Sequence, residues 1–301
     1  MSRVFLVIGL TSVLTVVVAA APRDAVFDGF EAPNLNLSIW DRRQLRPGSY
    51  WLDDTMSRGR QRSLAITVSP ADRACGGKCE RNEVRLAKRL HIPFGTDVWY
   101  SFSFLLTGDT SNRENTRWVS GQWKQQTGGS PFLAQRFEHG VFHITVQDNS
   151  CRVLVAKSSA EHIKVPNTAD LNVASPHFFL RDKYLYNCKT DMKVEQSNDP
   201  VLPEPFGHWI DMTYHVRGGR HGKGLVEIWA NGRFIARVTG SIGYDKAAGP
   251  MQYFKFGIYR DLMPGTGVAH FDNFRRTIGD QNPCAQASPD KNPGAEPRAH
   301  C

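Results

Sequence analysis

Short segments in which polar and apolar residues alternate recur along most of the chain, separated by clusters of Gly, Pro, Asn and Asp. This period of two is typical of β-strands, and helical spacing is almost absent. The chain is thus predicted to be all-β, a jelly-roll sandwich of two antiparallel sheets. The predicted strands cover residues 63–69, 83–92, 98–106, 117–125, 132–137, 141–147, 152–157, 209–217, 225–230, 233–239, 253–260 and 269–277.

The two ends of the chain depart from the strand pattern. Residues 1–21 contain one arginine, an apolar run and a small-residue end, which is typical of a secretory signal peptide. We therefore expect a secreted or periplasmic protein without stable membrane insertion. Residues 22–281 are predicted to form one domain, and residues 282–301 an irregular tail.

All six cysteines lie beyond the predicted signal peptide. An even number in an exported chain favours disulfides over metal ligation, although sequence alone fixes no pairing. Closeness along the chain favours Cys75–Cys79 and Cys284–Cys301, which leaves Cys151 to pair with Cys188.

The charge balance indicates the kind of partner. The chain has 37 Lys and Arg against 29 Asp and Glu, a formal net charge of +8. In an exported protein this favours an anionic polysaccharide or a membrane surface over nucleic acid. We expect a monomer that binds such a polymer.

The segment Tyr253–Asp261 has the most informative polar face. In an extended strand, Tyr253, Lys255 and Tyr259 point to one side, and Phe254, Phe256 and Ile258 to the other. A lysine near a tyrosine favours the phenolate, which can remove a weakly acidic C–H proton. The alternative is an ordinary amphipathic strand with a solvated face.

Two other predicted strands carry polar faces. Arg81, Glu83 and Arg85 share one side, where the carboxylate is expected to hold both guanidiniums and leave spare donors for an anion. A surface charge ladder is the alternative.

In the strand 117–125, Trp118, Gln122 and Lys124 are predicted to share one side. The tryptophan would be a platform for a sugar ring, and the amide and ammonium would donate to carboxylates. An exposed polar strand with one partly buried tryptophan is the alternative.

Together these segments resemble a known set of motifs. Arg81-Asn82-Glu83-Val84-Arg85, then Gln122-Trp123-Lys124, then Tyr253-Phe254-Lys255-Phe256-Gly257-Ile258-Tyr259 are similar to three ordered strands of jelly-roll alginate lyases. The stretches 130–136 and 226–232 look closer to heparin lyase I-like and glucuronan lyase-like bacterial polysaccharide lyases. The resemblance covers residues 26–278. Lys124 departs from it, because these families usually have histidine there.

The resemblance implies β-elimination on a uronate polymer, with a preference for glucuronate, in a concave groove. Tyr259 would move the proton, assisted by Lys255, and Glu83 would orient its neighbours. Further substrate contacts would come from Arg81, Arg85, Gln122, Lys124, Arg136, Trp118 and Tyr253. Because Lys124 replaces a candidate base, a non-catalytic carbohydrate-binding protein is the alternative. A hydrolase is less favoured, since no paired-carboxylate motif is present.

The sequence gives weaker indications of metal binding and of catalytic histidines. No cofactor is required, although Asp28, Glu31 and Asp272 are candidate ligands for a structural Ca²⁺; the alternative is three ordinary surface acids. Each of several histidines is predicted to be structural: His91, His143, His177, His208 and His215.

Overall fold

The computed structural model describes residues 25–109, 117–127, 129–138, 140–149, 151–159, 190–245 and 248–279. The predicted signal peptide and tail lie outside these ranges, as do His177, Cys188, Cys284 and Cys301. Within them the chain forms two antiparallel sheets and no α-helix, with 3₁₀ turns at Cys75–Gly77 and Lys88–Leu90. The predicted all-β jelly-roll sandwich is confirmed.

Sheet A is built from both halves of the chain. Its strands are β1 (Val26–Asp28), β3 (Tyr50–Asp53), β4 (Ser63–Val68), β8 (Val98–Gly108), β13 (Lys193–Gln196), β14 (Ile210–Arg217), β15 (Gly219–Ala230), β16 (Arg233–Ile242) and β18 (Gly267–Ile278). They run in the order β13-β16-β15-β14-β8-β18-β4-β3, and β1 pairs with β18.

Sheet B carries the three segments singled out from the sequence. Its strands are β2 (Trp40–Gln44), β5 (Arg73–Ala74), β6 (Cys79–Leu86), β7 (Ile92–Pro93), β9 (Arg117–Gln125), β10 (Leu133–Glu138), β11 (Val141–Asp148), β12 (Cys151–Lys157) and β17 (Met251–Arg260). They run in the order β12-β11-β10-β9-β17-β6-β2. Strand β17 therefore lies between β9 and β6, which brings all three segments side by side.

The core between the sheets is rich in aromatic side chains. Phe254, Phe256 and Ile258 of β17 are fully buried. The Phe256 ring stacks on that of Phe271 in sheet A, with centroids 4.1 Å apart. Each such buried side chain contributes about 1.5–3 kcal/mol. This burial fixes the register of β17 and turns its alternate residues away from the core.

The predicted strands are all present, with shifted ends. The predicted strand 83–92 begins earlier, at Cys79, and ends at Leu86, where the 3₁₀ turn interrupts it. Asn231 and Gly232 both have positive φ, 49° and 75°, as a two-residue hairpin turn between β15 and β16 requires. Strands β1, β2, β3, β5 and β13 are short and were not predicted.

The cysteines follow the prediction where they are described. Cys75 and Cys79 form a disulfide. Cys151 is also disulfide-bonded, but its predicted partner lies outside the described residues. None of the described helical segments is long and apolar enough to span a bilayer.

Candidate active site

The outward side of sheet B, named here the polar face, gathers residues from β6, β9 and β17. Strand pairing sets Arg81 opposite Tyr259, Glu83 opposite Gly257 and Arg85 opposite Lys255. On the other side of β17, Gln122 lies opposite Lys255 and Lys124 opposite Tyr253. The predicted faces of β6 and β17 are thus observed, and the two strands present their polar residues together.

Glu83 is the centre of this face. Its carboxylate accepts a hydrogen bond from Gln122 Nε2 at 2.5 Å and another from Lys255 Nζ at 2.7 Å. Arg81 Nε lies 3.2 Å from the same carboxylate. Glu83 is fully buried and holds these three donors in place, in line with the orienting role that the sequence predicted.

Gly257 makes this arrangement possible. The Gln122–Glu83 hydrogen bond spans β17, and the residue of β17 opposite Glu83 is Gly257. Its φ is +136°, and a Cβ there would lie 2.3 Å from the Asn82 carbonyl oxygen. A side chain at this position would therefore disturb both strand β17 and the Gln122–Glu83 hydrogen bond that spans it.

Arg85 does not pair with Glu83, so the prediction that this carboxylate holds both arginines is wrong for Arg85. Its guanidinium donates to Asp41 of β2 at 3.0 and 2.9 Å. The reason is register, since Asp41 lies directly opposite Arg85. A hydrogen bond from Arg43, with Arg85 adding to it, holds the pKa of Asp41 well below its usual range.

Tyr259 is flanked by two guanidiniums. Arg81 lies 4.7 Å from the centre of its ring, and Arg117 lies 5.6 Å from it. Arg117 also makes an ion pair with Asp261 at 2.7 Å. Such neighbours stabilise negative charge on a phenol oxygen. Arg117 was not assigned a role from the sequence.

Tyr253, the other phenol of β17, has different surroundings. Its ring stacks on His91, with centroids 4.7 Å apart, and Arg85 lies 6.0 Å from its centre. Burial raises the pKa of Tyr253, and Arg85 opposes this effect. The side chain thus remains a neutral phenol, suited to binding and not to proton removal.

Trp118 is not on the polar face, so its predicted role as a sugar platform is wrong. The residue is 1 % exposed and belongs to the core. A β-bulge is the cause, because the pairing of β9 with both β10 and β17 skips Ser120. One extra residue reverses the alternation, so Trp118 turns inward and Arg117 outward.

Lys124 lies on the polar face as predicted. Its ammonium donates to the Gly129 carbonyl oxygen at 2.8 Å. Burial lowers the pKa of Lys124 to about 8, helped by repulsion from Lys255 and Arg81 and opposed by Glu83. The amine is therefore a cation at neutral pH and loses its charge under mildly alkaline conditions.

Arg136 extends the polar face onto β10. Its Nε donates to Thr145 Oγ1 at 2.9 Å, and it pairs in register with Val119 and His143. Burial lowers the pKa of His143 to about 3, so this imidazole is neutral. However, β11 is three strands from β17, or about 14 Å. His143 is thus too distant from Tyr259 to replace the expected histidine.

Two of the acids suggested for Ca²⁺ accept hydrogen bonds from nearby N–H groups. Asp28 accepts hydrogen bonds from the Phe30 amide and the Trp40 indole, and Asp272 from the Arg58 and Gly59 amides. Among the described residues, no group of three or more His, Cys, Asp or Glu side chains could hold a metal ion. Structural Ca²⁺ at Asp28, Glu31 and Asp272 therefore stays a prediction.

The fold and the polar face together define a jelly-roll protein of the carbohydrate-active type. Residues 32–275 match the family model described as polysaccharide lyase. The chain therefore belongs to the polysaccharide lyase family and is a polysaccharide lyase enzyme. A search of curated protein sequences finds no significant match.

Solved structures support the fold. The endo-β-1,4-glucuronan lyase of the fungus Trichoderma reesei has a TM-score of 0.54 and 14 % identity, covering 81 % of this chain and 92 % of its own. Alginate lyase A1-II', of polysaccharide lyase family 7, has a TM-score of 0.50 and 14 % identity, covering 81 % and 96 %. At this identity the similarity shows the fold alone.

Proposed function

We propose that the protein cleaves a uronate-containing polysaccharide by β-elimination on the polar face of sheet B. The observation that carries this proposal is Tyr259, held between Arg81 and Arg117 on the same face as the donors around Glu83. Cations outnumber carboxylates on this face, which suits an anionic polymer.

β-Elimination requires that the carboxylate be neutralised, the C5 proton removed and the leaving oxygen protonated. The polar face has a group for each of these steps. Arg81 and Lys255 neutralise the uronate carboxylate and Gln122 donates a hydrogen bond to it, so the C5 hydrogen becomes more acidic. The Tyr259 phenolate takes this proton, the C5 electron pair forms a double bond to C4, and the C4–O bond breaks. The phenol then returns the proton to the leaving oxygen, which restores the phenolate.

A single proton-transferring group favours one configuration at C5. In 1,4-linked glucuronate and mannuronate, the C5 hydrogen and the C4 oxygen lie on the same side of the ring, so one phenol can serve both. In guluronate and iduronate they lie on opposite sides and call for two groups. This supports glucuronate polymers, the preference that the sequence resemblance implies, with mannuronate as the related case.

We also propose that the enzyme works outside the cytoplasm. The Cys75–Cys79 disulfide supports an oxidising compartment. The signal-like residues 1–21 agree with export. A polymeric substrate is itself too large to enter a cell.

A substrate panel tests the proposal. Purified protein is mixed with glucuronan, polymannuronate, polyguluronate and heparin, and the ultraviolet absorbance of the unsaturated product is followed. Glucuronan and polymannuronate should give product, and polyguluronate should not. Retained binding without product on every polymer would contradict the proposal and favour the carbohydrate-binding alternative suggested by Lys124.

A further inference from the structure

Arg117 is tied to the end of β17 by two contacts. Its Nη2 lies 2.7 Å from Asp261 Oδ1, and its carbonyl oxygen accepts a hydrogen bond from the Asp261 amide at 3.1 Å. Tyr259 is two residues before Asp261 on the same chain segment. The guanidinium is therefore fixed relative to the Tyr259 ring, although it is half-exposed.

Both Asp261 and Tyr259 influence the pKa of Arg117. Burial lowers the pKa of Arg117, but Asp261 and Tyr259 outweigh it, and the net pKa is raised. A stabilising effect of the phenol on the guanidinium is reciprocal, since both result from one interaction. Arg117 is therefore placed to stabilise negative charge that develops on the phenol oxygen during proton transfer.

Arg81, the other arginine beside Tyr259, is less available to stabilise the phenolate. It shares the Glu83 carboxylate with Gln122 and Lys255, and its Nη2 contacts Cys75 Sγ at 3.6 Å. If it also neutralises the uronate carboxylate, its charge is divided between two anions. A second cation beside Tyr259 is then needed to stabilise the phenolate through the proton transfer.

We propose that Arg117, anchored by Asp261, is a positioning residue that holds Tyr259 in place and stabilises its phenolate. This role rests on the proposed function of Tyr259. Arg117 acts through Tyr259 and does not itself contact the reacting atoms. The charged groups near Tyr259 are Arg81 and Arg117 against its ring, Glu83 paired with Arg81, Asp261 paired with Arg117, and Glu138 opposite Arg117 on β10.

The first test is the pH dependence of kcat. In Arg117→Met, kcat should fall about tenfold near neutral pH, because the acidic limb of its profile moves up by about one pH unit. KM should change less than kcat. Arg117→Lys keeps the charge and should restore most of the profile. Asp261→Asn removes only the ion pair that anchors Arg117. The acidic limb of its kcat profile should lie between those of the wild type and Arg117→Met.

Arg42→Met is a matched control. Arg42 donates to the Tyr50 hydroxyl at 3.1 Å, so the chain offers a second arginine–tyrosine contact at the edge strand β2, two strands from β17. This variant should leave kcat and its pH profile unchanged. A fall in kcat for Arg117→Met with an unmoved pH profile, or no fall at all, would overturn the proposal.

The second test does not require turnover. Tetranitromethane nitrates phenolates, and peptide mapping by mass spectrometry reports nitration of Tyr259 alone. The initial rate at Tyr259 should be several-fold lower in Arg117→Met than in the wild type or Arg42→Met. An equal rate would overturn the role of Arg117 even if the protein cleaves no tested polymer. A lower rate in an inactive protein would support it and leave only the proposed reaction in error.

Discussion

The Lys255 ammonium lies 2.7 Å from the Glu83 carboxylate, and both side chains are almost fully buried, at 5 % and 0 % exposure. With Gln122 also donating to Glu83, three neighbouring strands are linked through one carboxylate. Since hydrogen bonds satisfy both carboxylate oxygens, the buried charges are compensated. This fixes the donors of the polar face before any ligand arrives.

Glu83→Gln should therefore destabilise the fold. The amide has nearly the shape of the carboxylate but leaves the Lys255 cation buried without its counterion. Removing one partner of a buried pair costs about 3–5 kcal/mol. Urea unfolding at pH 7 measures the loss as a lower midpoint.

A matched control for this loss is Glu195→Gln on sheet A. The Glu195 side chain is 67 % exposed, and its ion pair with Arg237 is 4.0 Å long. Its change should stay within about 0.5 kcal/mol. If both variants unfold at the same urea concentration, Glu83 is not the central support described here.

Tyr259→Phe should lower turnover by about 10²–10⁴-fold, because the ring packing is kept and only the proton-transferring hydroxyl is lost. The affinity for a uronate oligosaccharide, measured by calorimetry, should stay nearly unchanged.

The corresponding control is Tyr50→Phe, which removes a hydroxyl on β3 of sheet A that accepts a hydrogen bond from Arg42. Turnover should be as in the wild type. Near-normal turnover in Tyr259→Phe would assign the proton acceptor elsewhere, with Lys124 the next candidate.

The sequence predicted the faces of β6 and β17 because their apolar residues alternate without interruption. Phe254, Phe256 and Ile258 can be buried together only if Lys255 and Tyr259 turn outward. In β9 the same reasoning failed at Trp118, since the bulge at Ser120 shifts the period by one. The neighbouring Gly121 was a local signal, because glycine inside a strand often marks a bulge.

The partner of Arg85 could not be predicted from local pattern. Asp41 is distant in sequence and lies in β2, a short strand with charged residues in its middle. Only the pairing of β2 with β6 places the two residues opposite each other. Likewise, the Gln122–Glu83 hydrogen bond depends on β17 lying between their strands. Long-range register therefore decided which polar groups meet.

The charge of Lys124 should make ligand affinity depend on pH. Burial lowers the pKa of Lys124 to about 8, so the cation is present below this pH and is lost as the pH rises through it. Binding of an anionic oligosaccharide should weaken about two- to fivefold between pH 7 and pH 9. Calorimetry in the Tyr259→Phe background measures binding without turnover.

Lys124→Arg isolates this effect, because a guanidinium keeps its charge throughout this range. Its affinity should be nearly constant from pH 7 to pH 9. An equal decline in Lys124→Arg and the parent protein would mean that another group titrates, and that Lys124 does not contact the ligand.

The Cys75–Cys79 disulfide should support Arg81 as well as the fold. It closes a short loop before β6, and Arg81 Nη2 contacts Cys75 Sγ at 3.6 Å. Replacing both cysteines by serine should lower the free energy of unfolding by about 2 kcal/mol, the chain-entropy value for so short a loop. It should also raise KM, since Arg81 loses a neighbour that limits its motion. Urea unfolding and steady-state kinetics measure the two effects separately. A stability loss with unchanged KM would show that the disulfide supports the fold but not the position of Arg81.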